Sequence, residues 1–560
     1  MKNTALKWVY TVPGKKKGYV LILSLVQAVY GASGVLYALL LRGIVDSAAD
    51  RDRDSFLRYV LFIILLVVVQ LLLRALVRRL TEYTKATFEN IFKARLFETL
   101  LKKDYSEVSS VHSGEWLNRL TSDTTVVANG YADILPGLFG MSVKLISAVV
   151  MILILEPRFA LFVLLAGLVL IVFSFLFRKV LKRMHKEVQE ADGRFRSFIH
   201  ERIVSLLIVR SFVAEEQTLE SAYDRMDSHK AARMKKNRFS NFCNIGFGAL
   251  MSGMYLFGVI WCGFGIINGT ITFGTLTAIT QLITQIQAPF ANISGYLPQY
   301  FAVIASAERL MEAEDFKDDD FSPKSLAEIS SFYENELSSF GLKDVSFAYE
   351  SDVDAAVENI SLCIEKGKHT AFTGESGCGK STVLKLLMCI YSPDSGERYF
   401  ADKSGKLFSL DSSYRRLFAY VPQGNGLMSG TVREVVSLAS PADARDDSRI
   451  LHALEVACAK DFVLELKDGI DTVLGELGSG LSEGQMQRLA VARAVFSGCP
   501  VLLLDESTSA LDAATEQQLL DNLRTMTDTT IVIVTHRKSA LSICDSVFEF
   551  TETGVICNDK

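Results

Sequence analysis

Two things the sequence lacks narrow its class at once. Its nine cysteines are scattered, with no CxxC pair and no short stretch dense in them. A small disulfide-stapled module is excluded, and the thiols read as reduced and mostly buried. Positive charge is not in excess either: 59 Lys and Arg stand against 64 Asp and Glu, for a net charge of -5. A nucleic-acid binder neutralises phosphates with a basic surface, so nucleic acid is not an expected partner. Charge is missing altogether from Tyr19 to Leu41. The preceding Lys15–Lys17 gives this start the look of a signal peptide. However, the uncharged run is long enough to cross roughly 30 Å of hydrocarbon and reads as an uncleaved first membrane helix.

Hydrophobic residues make up 49% of the chain, yet 22% of it is charged. That mixture calls for a part that meets lipid and a part that meets water. With 560 residues, at least two domains are expected. Five further runs of mainly apolar residues follow, at about Tyr59–Val77, Ile134–Leu155, Phe159–Phe177, Phe242–Ile267 and Ile271–Tyr296. Arg74, Arg78 and Arg79 end the second, and Arg178, Lys179, Lys182 and Arg183 end the fourth. The positive-inside rule makes those ends cytoplasmic. The connections Val45–Ser55 (with Asp46, Asp50, Asp52 and Asp54), Glu156–Arg158 and Asn268–Thr270 are short and face outward. Those at Leu80–Ala132 and Val180–Ser240 are long and charged, have no obvious helix breaker for most of their length, and read as helices continuing out of the membrane.

After about Arg309 an acidic stretch (Glu312, Glu314, Asp315, Asp318, Asp319, Asp320) reads as a solvated linker. Beyond Gly341, short β-rich runs at Thr370–Thr373, Ala419–Val421, Val501–Leu504 and Thr530–Val534 alternate with helical segments, the pattern of an α/β fold. The expected architecture is a six-span α-helical transmembrane domain over residues 1–312, a linker over 313–337 and an α/β P-loop domain over 338–560.

Chemistry concentrates in that last domain. The run from Gly374 to Thr382 satisfies GxxxxGK[ST] between a β run and the helical segment Val383–Leu387. Its glycines let successive N–H groups turn toward a polyphosphate, the following helix presents its positive end, Lys380 neutralises the outer phosphates, and Ser381 can ligate Mg²⁺. Cys378 lies inside the loop, where the same helix end favours a thiolate. The apolar run Val501–Leu504 ends in Asp505 and Glu506, one carboxylate suited to hold Mg²⁺ through water and the next to polarise an attacking water.

The order of these motifs, with Gln423, Leu481-Ser482-Glu483-Gly484-Gln485, Ser509-Ala510-Leu511-Asp512 and His536, resembles the nucleotide-binding domain of ABC transporters. The six spans before it resemble an exporter-type (type IV) half-transporter, and the likeness covers essentially the whole chain. It implies that ATP and Mg²⁺ are bound by Gly374, Ser376, Gly377, Cys378, Gly379, Lys380, Ser381 and Thr382, with Tyr349 stacked on adenine. Asp505 would hold Mg²⁺, Gln423 would touch Mg²⁺ or the attacking water and report nucleotide state to the membrane helices, Glu506 would be the catalytic base and His536 would contact the γ-phosphate. Ser482, Gly484 and Gln485 begin a helix and would face the γ-phosphate held by a second subunit. Glu483 stands where the common pattern has glycine, and tuned kinetics are expected from it. The segments Ser113–Arg119, Phe198–Arg202 and Ser211–Phe212 match the family's coupling regions. By the resemblance they dock on the ATPase domains, the second region on the partner's.

Since no catalytic position is degenerate, a homodimer is favoured, with a heterodimer still open. The expected function is ATP-driven export of an amphipathic or hydrophobic substrate, whether small molecule, lipid or peptide, by alternating access in a dimer, in a bacterial cell (inner) membrane with the N-terminus and ATPase domain cytoplasmic. A siderophore-type importer of the same fold and an ATP-gated channel or sensor remain alternatives. The stretch before Tyr19 leaves no room for a peptidase domain, so a processing peptide exporter is not expected. In the sixth span Thr277, Gln281, Thr284, Gln285 and Asn292 recur at helical spacing, and Lys144 is the single charge between Ile134 and Leu155. Both features fit either helix packing or a water-filled path for an amphipathic substrate.

Overall fold

The computed structural model describes residues 2–319, 322–349, 355–424, 426–475, 478, 480–551 and 554–559. For residues 2, 3, 170–176, 178, 179, 182, 288, 290–294, 297 and 559 it describes the backbone alone. The chain divides into two compact units, one of residues 1–97 and 117–312, the other of residues 98–116 and 313–560.

Among the described residues the first unit is built on long helices: α1 (Gly18–Ala49), α2 (Arg53–Lys102), α3 (Thr124–Leu155), α4 (Pro157–Val204), α5 (Glu215–Ile267) and α6 (Phe273–Asp315). Four helices, spanning Gly14–Ala49, Arg53–Lys102, Ser113–Leu155 and Glu215–Ile267, are long and apolar enough to cross a membrane. The two long charged connections are largely helical: α2 runs to Lys102, α4 to Val204, and α5 starts at Glu215. Their outward-facing leucines and phenylalanines would be unfavourable in water, while Phe159, Ile279, Leu282 and Ile283 are fully buried between helices.

Glycines let these helices approach. A Cβ added at Gly31 of α1 would lie 2.9 Å from the Gly140 carbonyl of α3. Where α3 begins, a wider turn over Arg119–Asp123 places a buried ionic group. Asp123 accepts hydrogen bonds from Ser306 (2.8 Å) and Arg309 Nε (2.8 Å), and Arg119 pairs with Glu312 at 2.8 Å. Removing one member of such a group would leave an uncompensated buried charge.

Among the described residues the second unit carries two sheets and a two-stranded ribbon. An antiparallel sheet joins β1 (Leu337–Phe347), β2 (Val357–Glu365), β4 (Ser395–Asp402) and β5 (Leu407–Ser409) in the order β2-β1-β4-β5. The larger sheet uses β3 (His369–Gly374), β6 (Phe418–Val421), β9 (Val501–Asp505), β10 (Thr530–Val534), β11 (Ser546–Thr551) and β12 (Gly554–Asp559), ordered β12-β11-β3-β10-β9-β6. The ribbon pairs β7 (Gly430–Thr431) with β8 (Val473–Leu474). Strands β11, β3, β10, β9 and β6 are parallel. Because β9 and β10 are buried at every residue, they read as continuous apolar runs.

Helices α7 (Leu326–Asn335), α8 (Lys380–Leu387), α9 (Glu483–Phe496) and α10 (Ala513–Arg524) belong to this unit. Ser325 and Glu328 form a reciprocal cap on α7. Part of the acidic stretch is ion-paired: Asp319 accepts from Arg415 at 2.7 and 3.2 Å, and Asp318 meets Lys103 at 2.8 Å. Asp320 lies outside the described residues.

Candidate functional site

Parallel strands end at a common edge, and the register fixes which residues meet there. Val534 of β10 stands opposite Phe372 of β3 on one side and Asp505 of β9 on the other, while Val421 of β6 stands opposite Leu504. The loop after β3, Gln423 after β6, Glu506 after β9 and His536 after β10 therefore gather at the same end of the sheet.

The loop from Gly374 to Thr382 turns because Gly374, Gly377 and Gly379 have φ of 129°, 89° and 88°. Residues with side chains rarely adopt that conformation. Gly379 caps α8, and Lys380 is only 6% exposed. The Lys380 ammonium donates to the carbonyls of Gly374 (2.8 Å) and Glu375 (2.6 Å) and lies 3.5 Å from Cys378 Sγ. A buried cation is thus held at the centre of a loop of backbone dipoles, the electrostatics of a polyphosphate cradle.

Ser381 Oγ donates to Asp505 Oδ1 at 3.0 Å, and the Tyr420 hydroxyl donates to Oδ2 at 3.0 Å. Asp505 is 1% exposed. Burial raises its carboxyl pKa above the ordinary value, against the lowering effect of the two hydroxyls. Burial, with the neighbouring Asp505, also raises the Tyr420 phenol. A cation would relieve this carboxylate. Among the described residues no group of three or more His, Cys, Asp or Glu could hold a metal unaided. The donor set of one hydroxyl and one carboxylate therefore fits Mg²⁺ that takes other ligands from water and phosphate.

Glu506 has φ 49°, a left-handed conformation that costs a non-glycine residue on the order of 1–3 kcal/mol. Its N–H reaches the Val534 carbonyl at 3.2 Å, and its carboxylate accepts from Gln423 Nε2 at 2.8 Å. His536 is exposed just past β10. The Tyr349 hydroxyl lies 3.0 Å from Thr382 Oγ1, and its ring meets Phe347 and Tyr391 edge-on with centroids 5.0 and 5.4 Å apart.

The segment Leu481–Gln485 forms a different cluster. Ser482 caps α9, accepting from the Gln485 N–H at 3.3 Å while Gln485 Oε1 accepts from the Ser482 N–H at 2.8 Å. Glu483 opens the helix. A Cβ on Gly484 would come within 2.9 Å of the Ala510 carbonyl, so α9 abuts residues 509–511. Among the described residues no hydrogen bond joins Leu481–Gln485 to the loop at Gly374–Thr382.

Three residues missed by sequence reasoning organise this edge. Tyr420 grips Asp505, as above. Gln487, 3% exposed, donates to Ser509 Oγ and accepts from the Ala510 N–H, both at 3.0 Å. Arg537 donates to the carbonyls of Ser509 (2.7 Å) and Leu511 (3.0 Å) and to buried Glu516 (2.8 Å). None belongs to a local motif, and only the adjacency of Arg537 to His536 could have drawn attention.

Residues 98–116 pack in this same unit. Asp104 caps the helix Tyr105–Ser110, the Trp116 indole N–H donates to the Val108 carbonyl at 3.0 Å, and the Tyr105 ring meets Tyr391 with centroids 5.7 Å apart. Of the other segments matched to the family's coupling regions, Phe198–Arg202 lies near the end of α4, and Ser211–Phe212 closes the helix Leu206–Ser211.

Within the first unit, a cavity of about 920 Å³ is lined by α1, α2, α3 and α6. It brings together Gln281, Gln285 and Lys144. Thr277 and Thr284 are not on its wall; their hydroxyls bond back to carbonyls of α6 at 3.0 and 2.7 Å. The side chain of Asn292 lies outside the described residues.

The parallel edge, its glycine loop and the two terminal carboxylates define a P-loop ATPase joined in one polypeptide to a long-helical membrane unit. The family described as ABC transporter transmembrane region matches residues 20–290, and that described as ABC transporter matches residues 357–509. The chain belongs to the ABC transporters. It is 29% identical over 461 residues to ABC transporter B family member 1 of Dictyostelium discoideum, covering 81% of this chain and 49% of that relative, so it spans about half the relative's length. It is 26% identical over 532 residues to the ATP-dependent lipid A-core flippase of Mannheimia succiniciproducens, covering 94% and 88% of the two chains. A solved bacterial Atm1-family ABC exporter with ATP bound shares the fold, with TM-score 0.78 and 19% identity over 97% of this chain and 95% of that one.

Proposed function

We propose that the chain is one half of an ATP-driven exporter, a dimer of two such chains that moves an amphipathic or hydrophobic substrate outward by alternating access. Six spans over residues 1–312, a linker over 313–337 and a cytoplasmic ATPase domain over 338–560 make up each half, in a bacterial inner membrane. The flippase and exporter names among the relatives support the direction.

The observation that supports the dimer is that, among the described residues, no hydrogen bond joins Ser482, Gly484 or Gln485 to the phosphate loop of the same chain, while Ser482 and Gly484 stand at the start of a helix of their own. An ATP on the loop of one copy would be completed by Ser482 and Gly484 of the other. An exposed apolar run supports a second copy as well: Leu207 is 82% exposed and Phe212 78%, more than a chain working alone leaves in water.

Lys380 would exchange its two carbonyls for the outer phosphates, and Tyr349 would stack adenine. Ser381 and Asp505, with Gln423 nearby, would hold Mg²⁺, which supplies charge neutralisation on the β- and γ-phosphates. Glu506 takes a proton from water as the water oxygen bonds to the γ-phosphorus and the bond to the β-γ bridging oxygen breaks, leaving ADP and phosphate. His536 steadies the γ-phosphate.

The test is sidedness. ATP-driven accumulation of an acyl probe inside inside-out vesicles is expected. Accumulation only in right-side-out vesicles loaded with ATP would make the protein an importer, and movement only down the probe's gradient would make it a channel.

A further inference from the structure

The cavity between α1, α2, α3 and α6 carries an unusual charge balance. Asp133 and Lys144 are the charged side chains on its wall. Asp133 is neutralised by Lys85 at 2.9 Å. Lys144 has no carboxylate within ion-pair distance among the described residues, so the wall holds one uncompensated positive charge. Ten or more uncharged residues of α3 separate it from either end of Ile134–Leu155. That is about 15 Å of helix, farther than a lysine side chain can reach toward either end of the span.

A second residue on the wall of the same cavity carries an unpaired polar atom. Gln285 is 7% exposed, and its Nε2 donates to the Gly34 carbonyl at 2.6 Å. That carbonyl is an acceptor, so the amide atom facing it must be nitrogen. The other amide atom, Oε1, is buried with no hydrogen-bond partner. Leaving it so is unfavourable in the absence of a donor.

The two groups are close enough for one ligand. A Cβ at Gly31 would lie 3.2 Å from Lys144 Cβ, and one at Gly34 would lie 2.6 Å from Gln285 Oε1. Gly31 and Gly34 share one face of α1 a single turn apart, roughly 5 Å. The Lys144 side chain therefore starts beside one turn of α1 and the orphan acceptor lies beside the next, and both residues line the one cavity.

We infer that this cavity selects an amphiphile whose headgroup combines one negative charge with an N–H donor, the chemistry of an N-acylated amino acid. The anion meets Lys144 and the donor meets Gln285. This rests on the transport reading above and adds the substrate class to it.

The test uses the full chain in phosphatidylcholine nanodiscs and three probes with matched twelve-carbon tails: anionic N-dodecanoylglycine, neutral N-dodecanoylethanolamine and cationic dodecyltrimethylammonium. Binding is measured against empty nanodiscs, together with the concentration giving half-maximal stimulation of ATPase activity. N-dodecanoylglycine is expected to bind at least about tenfold more tightly than the neutral amide, with the cation weakest. Lys144→Met removes that preference and raises the half-maximal concentration roughly ten- to a hundredfold, the range for losing a charge-assisted hydrogen bond. Lys144→Arg keeps the preference. Gln285→Leu weakens both amide probes, and Thr284→Val, on α6 but off the wall, changes neither. Equal binding of the three probes, or an anion preference that survives in Lys144→Met, overturns the inference. The export reading fails separately, when probes that bind and stimulate hydrolysis are not carried into inside-out vesicles.

Discussion

Glu506→Gln separates proton transfer from everything else at the nucleotide edge. The amide is nearly isosteric, and its oxygen can still accept from Gln423 Nε2, now 2.8 Å from the carboxylate. Asp505 with its two 3.0 Å hydroxyl donors is untouched, so the contacts assigned to nucleotide and Mg²⁺ persist. Backbone strain is also unchanged, because glutamine is no better suited than glutamate to φ 49°. What disappears is the group that accepts the water proton. A positioned general base contributes typically about 10²–10⁴-fold, or about 3–5 kcal/mol of barrier. Phosphate release by the reconstituted protein is therefore expected to fall by at least about a hundredfold. Equilibrium ATP affinity stays within a few-fold of wild type, and a closed dimer accumulates on ATP addition. Turnover within a few-fold of wild type would remove Glu506 from the role of base, and lost ATP affinity would make it a binding residue instead.

Cys378 lies 3.5 Å from the Lys380 ammonium, so an N-ethylmaleimide adduct would occupy the phosphate cradle. Inhibition that ATP prevents and Cys378→Ala escapes is expected; equal inhibition of Cys378→Ala would assign the effect to another cysteine, such as exposed Cys363 or Cys557. Arg537→Met strands the Glu516 carboxylate, 3% exposed, and releases two carbonyls of residues 509–511. A loss of about 2–3 kcal/mol is expected, below the range for a fully buried pair because Arg537 is partly exposed. The midpoint of thermal ATPase inactivation should drop, with partial recovery on adding Glu516→Gln; an unchanged midpoint refutes the tether. His369, buried in β3, has its pKa lowered by that burial. The unfolded chain therefore binds the proton more readily, and stability present above about pH 6.5 is lost as pH falls through the folded-state value. His369→Leu is expected to flatten the thermal midpoint between pH 7 and 5, and identical pH profiles would dismiss the histidine.

What the sequence made legible was local. The runs at Val501–Leu504 and Thr530–Val534 reappear as β9 and β10, since strands buried on both faces have to be continuously apolar. The loop at Gly374 was legible because its positive φ values require glycine at fixed spacing. Long helices were visible as uncharged runs with basic ends. The grip of Tyr420 on Asp505, the Gln487 contacts to Ser509 and Ala510, and the Arg537–Glu516 pair were not legible. Each joins residues from different elements, and such pairings leave no period in a single sequence. The acidic stretch shows the same limit: composition gave its solvation, and Asp318 is indeed exposed, but not the ion pairs of Asp318 with Lys103 and Asp319 with Arg415. The polar residues of α6 were legible as a set, but only the fold separates Gln281 and Gln285, which face the cavity, from Thr277 and Thr284, which bond to their own helix.

The grouping of residues 98–116 with the ATPase fold has a mechanical consequence. From the phosphate loop, Thr382 touches Tyr349 at 3.0 Å, Tyr349 meets Tyr391 with planes at 90°, and Tyr391 meets Tyr105 at 74°. Edge-to-face rings resist sliding because each edge is attracted to the next face, with about 0.5–1.5 kcal/mol per pair beyond simple burial. At the far end Tyr105 opens a helix capped by Asp104, whose N–H donates to the Lys317 carbonyl at 2.9 Å, while the Asp319 N–H donates to the Lys102 carbonyl at 2.9 Å. Lys103 adds hydrogen bonds to the carbonyls of Glu314 (2.8 Å) and Phe316 (2.6 Å). A displacement of Tyr349 therefore acts on packed rings and a hydrogen-bonded pair of segments before it meets any freely jointed chain. Residues 98–116 are thus fastened to the nucleotide edge within the same packed unit.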